Sequence, residues 1–271
     1  MEMRRFRKIL NYSREQRAEM EYQLRYFYSC IGMEYGKEFL NLMQIARSFF
    51  AKKGYYVVEM PLKDKEIGAL CYKGDAKGYV FLNSSLPKAN VNFALCHEIY
   101  HVFFGKDGFS RPQMELYFSE HYFEQDEELA ANLFAGMLLM PEQSFRSMYD
   151  KFLQEEENKE QKLNILVRLM NYYGAPYMAV LIRCYELELL EAGETLENLM
   201  ETETNMIFQK FSDLWLDGTI LESTKKDDYG QLRRIVAYSG KLFEKEGYLK
   251  EQTLKKALQN MQTLYEKIKG E

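Results

Sequence analysis

Histidine is the scarcest residue here that could do metal or acid–base chemistry, with three in 271 residues. Two of the three fall in the run His97-Glu98-Ile99-Tyr100-His101. On a helix, positions i and i+4 share a face, so both imidazoles can reach one metal ion. Glu98 stands beside them, placed to act as general base on a metal-activated water. With histidine so rare, an accidental HExxH is improbable. Two merely structural histidines also meet a physical difficulty. Their neighbours Phe93, Ala94, Leu95, Cys96, Ile99, Val102, Phe103 and Phe104 make this helix apolar nearly all round, hence buried. A buried His-Glu-His face is costly unless something satisfies it, and a metal would.

A catalytic zinc site takes three protein ligands and a water. The metzincin arrangement needs a Gly and a third His further along, where this chain has Phe104 and Asp107. The other source is a glutamate on a second helix, followed one turn later by a polar side chain that orients a ligand histidine. The segment from about Glu124 to Met140 offers Glu124, Glu127 and Glu128. One turn after Glu127 stands Ala131, which cannot serve. One turn after Glu124 stands Glu128, which is possible but charged. One turn after Glu128 stands Asn132, which is suitable. The spacing therefore points to Glu128 as third ligand and Asn132 as its supporting residue. The alternative for Glu128 is a solvated acidic helix start, favoured by the helix dipole. Ala131, Ala135 and Gly136 are small enough for the two helices to approach closely. An oxyanion would need a donor, for which Tyr117, His121, Tyr122 and Tyr149 are unranked candidates.

The elements that must position these residues are mostly helices. Residues 1 to about 53 read as helical, with a break near Gly32 and Gly36. Three β-like segments follow, Tyr55–Met60, Ile67–Tyr72 and Gly78–Asn83, rich in β-branched and aromatic residues and separated by turn sequences. They predict a small antiparallel sheet. The chain is then helical over about Ala89–Phe104, over about Glu124–Met140, and from Pro141 to about residue 192 with a break at Gly174–Pro176. Residues 185–204 are rich in Glu without Lys or Arg, a weak boundary before a mildly basic amphipathic helical stretch.

Composition bounds the partners. The net charge of −5 and pI of about 5.5 argue against direct nucleic-acid binding, which normally needs a basic surface. The longest clear apolar run, Leu133–Met140, is far too short to span a bilayer, and the charged N-terminus is not followed by an apolar stretch as in a secretory signal. The four cysteines, Cys30, Cys71, Cys96 and Cys184, form no CxxC pair, which argues against a disulfide scaffold or a cysteine-type zinc site. The expectation is a reduced, cytoplasmic protein.

Two stretches together carry a family resemblance. Phe93-Ala94-Leu95-Cys96-His97-Glu98-Ile99-Tyr100-His101 follows a strand ending in Asn83, and Glu128-Leu129-Ala130-Ala131-Asn132-Leu133-Phe134-Ala135 precedes Leu138-Leu139-Met140-Pro141. Over about residues 35–190 this resembles the ImmA/IrrE family of zinc metallopeptidases. Tyr100 stands where that family usually has Gly, and Ala130 replaces the second Glu of its usual pair, which leaves the first, Glu128, as the ligand candidate. Cys96 stands where Ala is common and reads as a small buried filler. The resemblance implies an α+β, mainly helical fold with a zincin-like core at 35–190, a helical extension at 1–34 and a helical region at 191–271. It implies Zn2+ held by His97, His101 and Glu128, with Glu98 catalytic. It implies cleavage of a regulatory protein, typically a helix-turn-helix repressor of a mobile element or stress response. The alternative is a binding module that keeps the metal site and does not cut. No helix-turn-helix of the chain's own is evident in residues 1–50. An edge strand of the sheet could hold an extended peptide by strand addition.

Overall fold

The computed structural model describes residues 3–74, 77–105, 126–156, 162–191 and 193–270. The chain begins with helices α1 (Met3–Cys30) and α2 (Leu42–Lys52). Strands β1 (Tyr55–Met60), β2 (Ala69–Lys73) and β3 (Gly78–Asn83) follow, then α3 (Lys88–Phe104) and α4 (Asp126–Leu139). Helices α5 (Glu142–Glu155), α6 (Lys162–Tyr173), α7 (Tyr177–Glu186), α8 (Glu194–Met200) and α9 (Thr204–Asp213) complete the central body. A short 3-10 turn at Gly218–Leu221 leads to α10 (Tyr229–Lys245) and α11 (Glu251–Lys269). The fold is α+β and mainly helical. Among the described residues no single helix is long and apolar enough to cross a membrane.

One apolar cluster runs from Phe6 on α1 to Ile220 in the 3-10 turn. On α1 the buried stripe Phe6, Met20, Leu24 and Phe27 follows helical spacing and packs toward α4 and α7. The acid-rich stretch after α7 keeps Glu188, Glu191, Glu197, Glu201 and Glu203 outward and sinks Leu187, Leu190, Leu196 and Leu199 into the same cluster. A second small cluster of Val58, Met60, Leu62 and Tyr229 seats α10 and α11 against β1.

The sheet departs from the expected antiparallel pairing. Its order is β1-β3-β2, with β3 antiparallel to β2 but parallel to β1. The reason is the connection at residues 61–68, too long for a tight hairpin. It carries the chain past the end of β3, so that β2 pairs on the far side. Asn83, fully buried at the end of β3, clamps this connection. Its Nδ2 donates to the carbonyls of Asp64 (2.9 Å) and Ile67 (2.8 Å), and its Oδ1 accepts from the Leu62 amide (3.1 Å). At the other end of β3, Gly78 is required by packing, because a Cβ there would lie 2.2 Å from the Tyr55 ring.

Residues 222–228 run across the base of the sheet and the start of α3. The amide of Lys88, an unpaired donor of the first helical turn, donates to the Glu222 carbonyl at 2.9 Å. Ser84 Oγ donates to the Lys226 carbonyl at 2.5 Å. The Glu59 carboxylate, buried on β1, is paired with Arg47 of α2 and with Lys226 Nζ at 3.3 Å. The Asp228 amide donates to the Glu59 carbonyl at 2.7 Å. Removing the Glu59 carboxylate should therefore loosen the C-terminal helices. Glu59→Ala is expected to lower the unfolding free energy by about 2 kcal/mol, below the cost for a fully buried pair because both cations keep access to water. Urea denaturation reads this directly, and an unchanged midpoint would show that the network does not anchor the segment.

Candidate metal centre

The packing of α4 against α3 builds the site. Ala131 and Ala135 are fully buried at this contact and let the two backbones approach. Gly136 is not part of it, since a Cβ there would meet nothing within 4 Å. The first turn of α4 carries Asp126, Glu127 and Glu128, where the positive end of the helix dipole favours acids. That turn faces His97 and His101.

Three donor atoms converge. The two Nε2 atoms of His97 and His101 lie 3.0 Å apart. Glu128 places one carboxylate oxygen 3.2 Å from His97 Nε2 and the other 3.3 Å from His101 Nε2. Bonds of about 2.0–2.1 Å arranged tetrahedrally would put neighbouring ligand atoms about 3.3 Å apart. The three separations are of this size, the two from Glu128 starting at its two different oxygens, so an ion held by both rings and this carboxylate would keep a position for a water or a substrate oxygen. Two imidazoles and a carboxylate form a donor set for a first-row divalent metal ion. Among the described residues this trio is the one His/Cys/Asp/Glu group close enough to hold an ion.

Each imidazole is held from behind. His97 Nδ1 lies 3.0 Å from Asn132 Oδ1, the partner the helix spacing indicates. His101 Nδ1 lies 3.2 Å from Glu127 Oε1, a partner the spacing argument missed. With a metal bound, the proton of each ring would sit on Nδ1, donated to that oxygen, and Nε2 would offer its lone pair to the ion. Ligand spacing does not mark Glu127, because Ala131 stands one turn after it. The signal was the adjacent pair Glu127-Glu128. Successive residues are turned by about 100° around a helix, so one carboxylate reaches between the histidines and the other behind His101.

The electrostatics follow from burial among charges. Burial alone would raise the Glu128 pKa and lower that of His101. Their mutual hydrogen bonds reverse both, holding Glu128 well below the usual carboxylate range and lifting His101 to about 9, with Glu98 and Glu127 adding to the latter. Glu98 is 5% exposed, and burial pushes its pKa up, with His97 and His101 acting in the opposite direction. Its carboxylate makes no hydrogen bond among the described residues. It is therefore a carboxylate poised to exchange a proton with whatever enters the site.

Other sequence expectations resolve here. The Tyr100 ring packs on Phe104 and Phe134, with centroid separations of 5.5 and 5.8 Å, so its bulk fills the core. Cys96 is fully buried and its thiol is pushed up to about 12, in keeping with a filler. Tyr149 does not join the site, because its hydroxyl donates to the Leu189 carbonyl at 3.0 Å in the interior. Tyr117, His121, Tyr122 and Glu124 lie outside the described residues.

The supporting hydrogen bonds carry a measurable consequence. Asn132→Ala and Glu127→Ala are each expected to weaken zinc binding by about 10- to 100-fold. Competition with a chromophoric chelator reads the change, and an unchanged affinity would mean that the histidine in question is oriented by another group.

Comparison with known proteins adds one finding. The model of the IrrE N-terminal-like domain, a peptidase family, matches residues 50–185. No curated protein and no solved structure matches the chain. The matched span begins at the end of α2, takes in the whole sheet and ends within α7, with both histidines, Glu98 and Glu128 inside it. By its sequence and by the helices that carry these residues, the chain belongs to the IrrE N-terminal-like peptidase family.

Proposed function

We propose that this protein is a zinc-dependent endopeptidase that cuts a regulatory protein, with a helix-turn-helix repressor as its substrate class. The observation that carries the reading is the meeting of His97, His101 and Glu128 beside a buried Glu98 without a hydrogen-bond partner among the described residues. His97, His101 and Glu128 would hold the ion, and Asn132 and Glu127 would fix the two rings. Zinc, when bound there, supplies Lewis acidity toward the scissile carbonyl. Glu98 takes a proton from the attacking water as the new C–O bond forms. It then delivers that proton to the amide nitrogen as the C–N bond breaks. The raised pKa of Glu98 serves both halves, since a carboxylate nearer neutrality is the better base and its acid form survives to protonate the leaving amine.

The sheet supports a peptide over a small molecule. Among the described residues strand β2 pairs with β3 on one side only, and α3 packs beside it. Cys71 on β2 lies close enough for the charge of Glu98 to act on its thiol. The free edge of β2 thus runs near the proposed base, where an extended peptide could add as a further strand. The repressor as substrate rests on the family resemblance alone.

The discriminating experiment adds zinc-loaded protein, or its Glu98→Gln variant, to host-cell extract and maps new protein N-termini by mass spectrometry. New termini in helix-turn-helix proteins are expected with the parent protein, with the variant slower by about 100-fold or more although it keeps its zinc. Equal patterns from the two would remove the peptidase reading and favour a binding module with an intact metal site.

A further inference from the structure

A cavity of about 450 Å3 opens where α1, the segment after it, the C-terminal end of α4, the start of α5 and α7 meet. Its size falls within the range of small-molecule sites, about 300–1,000 Å3. It is separate from the metal centre. Met137, which lines it, lies nine residues beyond Glu128 on α4, about 13 Å away at the helical rise.

The polar part of the lining is built around a buried arginine. Arg183 is 4% exposed. Its Nε donates to the Met140 carbonyl at 3.1 Å and its Nη1 to Glu186 at 2.9 Å. Its Nη2 makes no hydrogen bond among the described residues and is not among the fully buried unpartnered atoms, so this edge of the guanidinium stays open. A second arginine in the lining, Arg25, stacks with its guanidinium carbon 4.1 Å over the Tyr35 ring and has no carboxylate partner among the described residues. Arg25 and Arg183 both line this one cavity, with Tyr35 between them in the lining of the segment after α1. The first turn of α5 also borders the cavity, through Glu142 and Gln143, and has no side-chain cap.

Charge and shape then select a ligand class. The lining holds three arginines, Arg25, Arg146 and Arg183, against two glutamates, Glu21 and Glu142, for a balance of one positive charge. Arg17 pairs with both glutamates, and Arg146 also pairs with Glu142, at 2.9 Å. That leaves Arg25 and the open edge of Arg183 to face a ligand. One positive charge matches a monoanion such as a carboxylate better than a phosphate monoester, which carries close to two negative charges. The planar guanidinium fork also suits a carboxylate. Leu24, Met137 and Pro141 supply an apolar wall.

We propose that this cavity is a binding site for a small carboxylic acid with an apolar body, its carboxylate held between Arg25 and Arg183 and its body against Leu24 and Met137. The inference is independent of the peptidase reading.

Calorimetric titration of the full-length, zinc-loaded protein with octanoate, octanol and octylamine tests it. Octanoate is expected to bind about tenfold or more tightly than octanol, the margin of a charge-assisted hydrogen bond, and octylamine is expected not to bind. Arg25 is exposed, so Arg25→Gln should leave the fold intact; it should weaken octanoate about tenfold and leave octanol unchanged. Three results would each overturn the proposal: octanoate no tighter than octanol, octanoate unaffected by Arg25→Gln, or octanoate binding that disappears when the metal is removed. The last would place the carboxylate on the zinc instead.

Discussion

The contact between α3 and α4 is the constraint on which the rest depends. Two alanines at its centre bring the helices close enough for the carboxylate of Glu128 to bridge both histidine Nε2 atoms. Burying this many polar groups in so apolar a pair of helices is tolerable only because each is matched: Nε2 atoms to Glu128, Nδ1 atoms to Asn132 and Glu127. Glu98 is the exception, a buried carboxylate without a hydrogen bond among the described residues, and for that reason it is the group proposed to transfer protons.

The other elements hold that contact in place. Helix α1 lies over α4 and α7 and closes one side of the core. The sheet, locked by Asn83 at its crossing connection, sets the start of α3. The chain after α9 returns to cap the first turn of α3 through Glu222 and to meet β1 through Lys226 and Asp228. The HExxH helix is thus fixed from both ends of the sequence, which suits a site whose three donor atoms must be set to within a few tenths of an ångström.

The metal trio was legible in the sequence because each part is a local pattern. HExxH is one helical turn, and Glu128 with Asn132 is another. Asn132 is marked by its place one turn after Glu128, whereas Glu127 carries no such spacing signal, because its next-turn neighbour is Ala131. The helices were legible from periodicity, and β1 and β3 from their β-branched and aromatic content. The parallel pairing of β1 with β3 was not, because pairing is a non-local choice made by the 61–68 connection and the Asn83 side chain. Tyr149 looked available as a donor only until its burial against Leu189 was known. The arginine-lined cavity has no sequence signature at all, since its residues come from four separate helices and two connecting segments.

The central proposal is that His97, His101 and Glu128 together hold one zinc ion. X-ray absorption at the zinc edge of the loaded protein tests it most directly. The account predicts a four-coordinate ion with only nitrogen and oxygen neighbours at about 2.0–2.1 Å, two of them imidazole. A sulfur neighbour at about 2.3 Å, or a hydrated six-coordinate ion without imidazole scattering, would contradict it.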